Sequence, residues 1–170
     1  SWIIPDAVHQ EFDCVVFHMT DLPFGRGGSP LQNLIKRGMT ETKVSAIFVE
    51  SGLDTGDVLL QRPMSLHGSA EEIYIRAAGI IEEMIIDIVE SDPEARPQEG
   101  EPVAFKRRTP EESEISGNET LEGLFDHIRM LDAEGYPHAF IDWGRFVLRF
   151  GRASMRHGKL VTDCTITMRE

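Results

Sequence analysis

His18 and Asp54 are the two residues of this chain whose types and positions could support proton transfer. A histidine exchanges a proton near neutral pH, and a carboxylate beside it can hold one tautomer of the imidazole. Asp54 lies on a turn bounded by Gly52 and Gly56, where a side chain can approach another segment closely. Because the chain contains six histidines, residue type alone leaves a structural role for His18 open.

The segment before His18 predicts where the histidine lies. Cys14–Phe17 is continuously apolar and contains two β-branched valines, which is typical of a fully buried central strand of a parallel sheet. His18 then follows at the carboxyl end of that strand. Ligands bind at this edge of open α/β sheets, so we expect His18 to face a ligand site.

A loop and a helix are predicted after His18. Pro23–Gly28 is rich in glycine and predicts a loop, and Ser29 and Pro30 are typical of a helix N-cap and first helical position. A loop that precedes a helix N-terminus could hold an anion, although a purely structural loop is the alternative. Apolar residues at helical spacing follow the cap, and Gly38 marks the helix end: Leu31, Leu34 and Ile35.

Two further strands and a long helix are predicted in the middle of the chain. Strands over Thr42–Glu50 and Val58–Gln61 would form a hairpin with Asp54 at its tip. A capping box that begins at Ser69 starts a helix that ends before Pro93. Its apolar residues recur at helical spacing and predict core packing: Ile73, Ala77, Ile80, Ile81, Met84, Ile85 and Ile88.

The chain is predicted to contain two parts. Residues 1–103 form an α/β domain, and residues 104–170 form a small, mainly β module with one helix. A Pro- and Glu-rich connector, Asp92–Pro102, leads into the second part, and Asn118 is the predicted N-cap of its helix. Three strands are predicted after that helix: Ala139–Trp143, Phe146–Phe150 and Leu160–Met168.

The net charge of −12 argues against a large surface that binds nucleic acid, because such surfaces neutralise phosphates. The charge is uneven, with 7 basic and 18 acidic side chains in residues 1–103 and 10 and 11 in residues 104–170. The basic run Lys106–Arg108 could form a local patch, although a solvated linker is the alternative. These counts favour a small-molecule partner over nucleic acid.

The composition also predicts the compartment and the state of the cysteines. The apolar runs are too short to span a membrane, and no basic-then-apolar leader opens the sequence, so we expect a cytoplasmic protein. Cys14 and Cys164 are predicted to be buried free thiols rather than a disulfide. The spacing of cysteine and histidine predicts no metal site.

The motif HxTDLPxGRGGSP, followed by GLDTG, resembles the formyltransferase family that uses a 10-formyltetrahydrofolate donor. The signature of that family combines N-x-H, S-L-L-P and R-G-x-x-P with a later Asp in a G-L-D-x-G turn. The resemblance extends from about Pro5 to Arg108. The matching positions are His18, Thr20, Leu22, Pro23, Arg26, Gly27, Pro30 and Asp54.

The resemblance implies the C-terminal part of a Rossmann-like formyltransferase domain with a mostly parallel sheet, whose first strands would precede Ser1. It implies an enzyme that moves a formyl group from 10-formyltetrahydrofolate to a primary amine. His18 would transfer the proton, and Asp54 would orient its ring. Residues implied to bind substrate are Thr20, Asp21, Arg26, Gly27 and Asn33.

Two positions depart from the family pattern. Val16 stands where the family has an asparagine that donates a hydrogen bond to the oxyanion. Either Asn33, Thr20, Arg26 or a backbone N–H replaces that donor, or the domain has lost the activity. Asp21 replaces a leucine and could be a substitute acid, a partner for Arg26 or a brace within the loop.

The acceptor implied by the resemblance is a small amine. The segment Phe105–Pro110 resembles the connector to the family's C-terminal domain, which is large and basic in the tRNA-specific members. Because that part is short and near neutral here, we expect an amino sugar nucleotide as acceptor. The alternatives are a non-catalytic binding domain of the same fold and methionyl-tRNA formylation, and a homodimer is left open.

Overall fold

The computed structural model describes residues 4–169, which form a mixed α/β fold and confirm the predicted α/β class. The α-helices are α1 (Asp6–His9), α2 (Pro30–Lys36), α3 (Ala70–Ser91) and α4 (Leu121–Arg129), and a 3-10 helix spans Pro110–Ser113. The strands are β1 (Val15–His18), β2 (Phe24–Gly27), β3 (Glu41–Phe48), β4 (Val58–Ser65), β5 (Val103–Phe105), β6 (Ala139–Trp143), β7 (Phe146–Arg156) and β8 (Lys159–Met168).

The predicted mostly parallel sheet is wrong. The strands β1, β3 and β4 form an antiparallel sheet in the order β1-β3-β4, and a second antiparallel sheet has the order β6-β7-β8. Among the strands of residues 4–169, parallel pairing occurs between β2 and β5. The short turn that joins β3 to β4 permits antiparallel pairing alone, since parallel strands need a long crossover.

The apolar strand β1 has two faces with different surroundings. Val15 and Phe17 pack against the hydrophobic core, and Val16 and His18 line a large cavity, whose wall Phe17 also reaches. The strand is half-buried and pairs with β3, so the predicted fully buried central strand of a parallel sheet is wrong. One face of β1 packs on the core and the other lines the cavity. Both surroundings accept apolar side chains, so the sequence of β1 is as continuously apolar as that of a strand with both faces covered.

The predicted glycine-rich loop contains a short strand. Phe24–Gly27 pairs with Val103–Phe105, and Gly27 lies opposite Phe105. A Cβ on Gly28 would lie 2.5 Å from the Cβ of Arg107, so glycine alone lets the two segments approach this closely. This close approach holds the segment that follows His18 against the segment around Arg107.

The helices follow the predicted apolar pattern closely. Pro30 begins α2, whose predicted apolar side chains are buried, and the capping box at Ser69 is confirmed. Ser29 is the N-cap residue of α2, as predicted, but its side chain makes no capping hydrogen bond, because its Oγ accepts a hydrogen bond from the backbone N–H of Arg108. Within α3, Ile73 and Met84 are fully buried, and the predicted burial of Ile85 is wrong because this side chain is 47% exposed.

The C-terminal strands are confirmed, with β7 longer than predicted. Thr120 caps α4 through a hydrogen bond from the N–H of Gly123, so the predicted cap at Asn118 is wrong. One buried cluster contains residues from both predicted parts: Leu31, Leu34, Ile73, Ile128, Leu131 and Ala139. The proposed boundary between residues 103 and 104 falls within β5, and the division into domains stays a prediction.

Both cysteines are free thiols, as predicted. Their predicted burial is wrong, since Cys14 is half-buried and Cys164 is exposed. None of the helices within residues 4–169 combines the length and the apolar character of a membrane span.

Two glycine substitutions should change stability in opposite directions. A Cβ on Gly56 would lie 1.8 Å from the carbonyl oxygen of Phe48, so Gly56→Ala should lower the free energy of unfolding by about 1–3 kcal/mol. Gly79 is exposed within α3, and nothing lies within 4 Å of its ideal Cβ position. Gly79→Ala should therefore raise that free energy by about 0.5–1 kcal/mol. Urea titration monitored by circular dichroism measures both, and a destabilised Gly79→Ala would contradict this description of α3.

Candidate active site

The structure brings the side chains of His18 and Asp54 together. His18 is the last residue of β1, and Asp54 lies on the turn between β3 and β4. The Nδ1 atom of His18 lies 3.6 Å from Oδ2 of Asp54, and the two side chains are 11% and 16% exposed. This distance suits an ion pair with a charged ring and is longer than an ordinary hydrogen bond.

The second ring nitrogen of His18 defines its hydrogen-bonding role. Nε2 lies 2.8 Å from the carbonyl oxygen of Gly25. A carbonyl oxygen only accepts, so we assign the hydrogen of the neutral ring to Nε2. Nδ1 then carries the lone pair beside Asp54, where it can accept a proton while the carboxylate stabilises the resulting imidazolium.

Asp54 also connects the hairpin to β2. Its Oδ2 atom accepts a 2.8 Å hydrogen bond from the backbone N–H of Gly27. Its φ of 53° lies in the left-handed region, which aspartate tolerates better than most residues. One carboxylate oxygen therefore faces both the proposed base and the backbone of the predicted substrate loop.

Arg26 lies in a network that the sequence did not indicate. Its Nε and Nη2 atoms donate hydrogen bonds of 3.0 and 2.7 Å to Oε1 of Gln98. The Nε2 atom of Gln98 donates to the backbone carbonyls of Asp54 and Gly56 at 2.9 and 2.8 Å. Gln98 lies in the Pro- and Glu-rich connector, whose composition predicts a linker and carries no signal for this contact.

Three other predicted site residues bond elsewhere in the structure. Thr20 is fully buried, with its Oγ1 3.4 Å from the carbonyl of Gly25, and Asp21 pairs with Lys43 of β3 at 3.1 Å. Asn33 donates to three backbone carbonyls within 3.1 Å. These three side chains are not among those that line the cavity beside His18, and their binding role stays a prediction.

A cavity of about 900 Å³ contains the His18–Asp54 pair. Its volume lies within the range of small-molecule sites. The residues on its wall that the sequence analysis singled out include Val16, His18, Gly27 and Asp54. Further residues on the wall include Ser29, Gln32, Tyr74, Arg107, Arg108 and Tyr136. The candidate site therefore extends from β1 to α3 and to the segment Phe105–Pro110.

Gln32 and Tyr74 form a buried polar pair on the wall of this cavity. Gln32 is 1% exposed, and its Nε2 donates to Tyr74 Oη at 3.1 Å and to the carbonyl of Met130 at 3.0 Å. Burial raises the pKa of the Tyr74 phenol, against the smaller opposite effect of the Gln32 hydrogen bond. The phenol is therefore neutral at physiological pH, and its oxygen accepts the hydrogen bond from Gln32.

Val16 lies on the cavity wall and offers no side-chain donor. The three side chains considered as replacements for the missing asparagine form hydrogen bonds elsewhere: Thr20, Arg26 and Asn33. Which group replaces the missing asparagine as the donor stays a prediction.

Basic side chains concentrate next to this cavity. A second recess, of about 580 Å³, is lined by Lys36 at the end of α2, by Arg37 directly after it, by the run Lys106–Arg108 and by Glu112. The N–H of Arg108 donates to Ser29, which holds the basic run against the start of α2. The fold therefore joins two basic segments that are far apart in the sequence.

Comparison with known proteins identifies the family of this chain. The solved structure of methionyl-tRNA formyltransferase from Clostridium thermocellum is 55% identical, with a TM-score of 0.97, and the match covers 99% of this chain and 75% of that one. The chain belongs to the methionyl-tRNA formyltransferase family. A family model described as the C-terminal domain of methionyl-tRNA formyltransferase matches residues 110–167.

Curated relatives of this formyltransferase-family chain are longer than the chain itself. Methionyl-tRNA formyltransferase of Rickettsia massiliae is 27% identical over 156 residues, which are 88% of this chain and 51% of the relative. The enzyme of Gluconobacter oxydans is 30% identical over 157 residues, with 89% and 51% covered. The chain thus spans about half the length of the curated relatives it matches.

More distant structures share the fold alone. The Mycobacterium tuberculosis protein Rv3404c, described as a sugar N-formyltransferase, is 20% identical with a TM-score of 0.70 over 84% of this chain and 65% of that one. HypX of Aquifex aeolicus, solved in complex with tetrahydrofolic acid, is 17% identical with a TM-score of 0.72 over 90% and 28%.

Substitution of Tyr74 should change both stability and the titration of tyrosine. Tyr74→Phe removes the acceptor of a buried Gln32 donor and should lower the free energy of unfolding by about 1–3 kcal/mol. Because the folded-state pKa of Tyr74 is raised, stability is fully present below pH 10.0 and falls as pH rises through the folded-state pKa. Absorbance titration of Tyr74→Phe should lose the tyrosine absorbance change that the wild type shows above pH 10.0. An unchanged titration curve in the variant would contradict the assignment.

Proposed function

We propose that this protein transfers a formyl group from 10-formyltetrahydrofolate to the amino group of methionyl-tRNA. The observation that carries the proposal is the His18–Asp54 pair within a cavity, on a chain 55% identical to a methionyl-tRNA formyltransferase. The comparisons favour this alternative over the amino sugar nucleotide expected from the sequence, because the sugar-specific neighbour shares the fold at 20% identity.

The geometry of His18 supports a role as the proton-transfer residue. The amine nitrogen attacks the formyl carbon, which forms a new C–N bond and a tetrahedral oxyanion. Nδ1 of His18 takes the proton that the amine loses, and Asp54, 3.6 Å away, stabilises the charged ring. The bond between the formyl carbon and the folate nitrogen then breaks, and the proton passes to that nitrogen.

The donor assignment rests on family membership and on the cavity. The fold neighbour HypX was solved with tetrahydrofolic acid, and the cavity of about 900 Å³ is large enough for part of such a molecule. Tyr74 and Tyr136 on its wall offer aromatic surface to a flat ring system. Because the chain spans about half the length of its curated relatives, the activity of the whole protein is part of the proposal.

The basic recess supports an acceptor that carries phosphate. Net charge argues against nucleic acid when averaged over the chain, but affinity for nucleic acid depends on the cations that contact the backbone. Lys36, Arg37 and Lys106–Arg108 concentrate positive charge beside the cavity, where the phosphates next to a bound aminoacyl group could lie. A local cluster can therefore bind tRNA although the whole chain is acidic.

A non-catalytic formyltransferase fold is the second candidate function. It is favoured by Val16, which removes a side-chain donor from the cavity, and by the engagement of Thr20, Arg26 and Asn33 elsewhere. A backbone N–H would have to stabilise the oxyanion in the enzyme. A homodimer and a cytoplasmic location stay predictions.

Substitution of His18 tests the enzyme directly. With the complete encoded protein, 10-formyltetrahydrofolate and methionyl-tRNA, His18→Ala should lower kcat by roughly 10²–10⁴-fold, the usual contribution of a general base. His67→Ala is the control, because His67 is exposed and is not among the residues that line the cavity. Turnover with an amino sugar nucleotide instead of methionyl-tRNA would overturn the acceptor, and no turnover with either acceptor would favour the binding domain.

Removal of two lysines tests the acceptor surface. Lys36→Gln together with Lys106→Gln should weaken binding of methionyl-tRNA and lower the slope of log Kd against log salt by about one per lysine. Arg62→Gln is the control, because Arg62 pairs with Asp87 of α3 and does not line the recess. Filter binding at several salt concentrations measures the slope. An unchanged slope in the double variant would exclude phosphate contacts at this recess.

A further inference from the structure

Gln98 is a side chain outside the formyltransferase motif that joins three parts of the candidate site. Its Oε1 accepts two hydrogen bonds from Arg26, and its Nε2 donates to the backbone carbonyls of Asp54 and Gly56. The four hydrogen bonds measure 2.7–3.0 Å, and Gln98 itself is half-buried. The contacts connect β2, the connector and the hairpin tip.

These contacts close a ring of hydrogen bonds around the catalytic carboxylate. Arg26 reaches Gln98, Gln98 reaches the backbone of Asp54, and the carboxylate of Asp54 accepts from the N–H of Gly27. Because Arg26 and Gly27 are consecutive in β2, the ring is covalently closed. Asp54 is thus held through both its carbonyl and its carboxylate, and the same carboxylate oxygen faces His18.

The segment that carries Gln98 is fixed on both sides. Arg96 and Val58 exchange two backbone hydrogen bonds of 2.7 and 2.9 Å, and Val103–Phe105 pairs with β2. Gln98 therefore lies on a short tethered stretch between two strands. A rigid support of this kind keeps the side chain in one position without help from a ligand.

Only an amide side chain satisfies the surrounding groups. The guanidinium of Arg26 needs an acceptor, and the carbonyls of Asp54 and Gly56 need donors. A glutamate would offer the acceptor but no donor, and a methionine of similar length would offer neither. The pattern of partners accounts for glutamine at this position.

We propose that Gln98 is a positioning residue for formyl transfer, which acts by holding Asp54 against Gly27 and beside His18. The inference rests on the proposed function, since it assigns the ring to that reaction. A displacement of about 1 Å at a catalytic group can cost roughly 10²-fold in rate. Loss of the ring should therefore lower kcat and leave KM for the donor nearly unchanged.

Hydrogen exchange by NMR tests the ring without an activity assay. In Gln98→Met, the amide of Gly27 should exchange about tenfold faster, because its acceptor is no longer held in place. The neighbouring amide of Gly28 bonds to the carbonyl of Phe105 and should keep its protection, because β2 and β5 remain paired. Gln98→Glu keeps the contact with Arg26 but loses the two hydrogen bonds that Gln98 donates to the hairpin. Because those two bonds hold Asp54 in place, the exchange of Gly27 should be as fast in Gln98→Glu as in Gln98→Met.

A matched control separates positioning from general destabilisation. Thr120→Ala removes the capping bond of α4 and should leave the exchange of Gly27 and the imidazole ¹⁵N signals of His18 as in the wild type. Both Gln98 variants should shift those imidazole signals. Unchanged Gly27 exchange and unchanged His18 signals in Gln98→Met would overturn the proposal, as would equal loss of protection at Gly28.

Steady-state formyl transfer completes the test. A drop in kcat of roughly 10²-fold in Gln98→Met, with the ring opened by NMR, supports the proposal. An opened ring with unchanged kcat in an active wild type would overturn it. If the wild type is inactive but the ring opens in Gln98→Met, the proposed function is contradicted and the structural role of Gln98 is still established. The two failures are therefore distinguishable.

Discussion

The hydrogen bond between the carboxylate of Asp54 and the N–H of Gly27 is the interaction on which the candidate site depends. It connects the tip of the β3–β4 hairpin to β2, and it places the same carboxylate 3.6 Å from His18. Without it, the carboxylate of Asp54 would lack the hydrogen bond that orients it toward the histidine, although Gln98 would still bond to the backbone carbonyl of Asp54. The N–H of Gly27 therefore orients the side chain of Asp54, just as the carbonyl of Gly25 orients the ring of His18.

The surrounding fold holds the two partners of that hydrogen bond in fixed positions. The β1-β3-β4 sheet fixes the end of β1, and the pairing of β2 with β5 fixes the backbone that bonds to Asp54. Glycine is required where these segments meet, since a Cβ on Gly27 would lie 2.4 Å from the carbonyl oxygen of Phe105. The site is thus built between strands of two sheets, which positions side chains more accurately than a free loop.

Local charge at the recess, rather than the net charge of the chain, is the quantity that bears on the proposed acceptor. A net charge of −12 is a sum over the whole surface, whereas phosphate recognition depends on cations within a few ångströms of the backbone. The fold brings Lys36 and Arg37, at the end of α2 and directly after it, next to Lys106–Arg108 and produces a basic recess beside the cavity. The near-neutral charge of residues 104–170 as a whole therefore does not describe the positive charge that is concentrated at this recess.

The sequence by itself determined what depends on neighbours in the chain, whereas the tertiary structure decided what depends on distant segments. Apolar spacing and capping residues predicted α2, α3 and the C-terminal strands, and the motif predicted that His18 and Asp54 belong together. Tertiary structure decided that β1 pairs antiparallel with β3, that Tyr74 meets Gln32, and that Gln98 joins Arg26 to Asp54. Propensity and periodicity act within one segment, but these polar contacts form only after packing removes water from the groups involved.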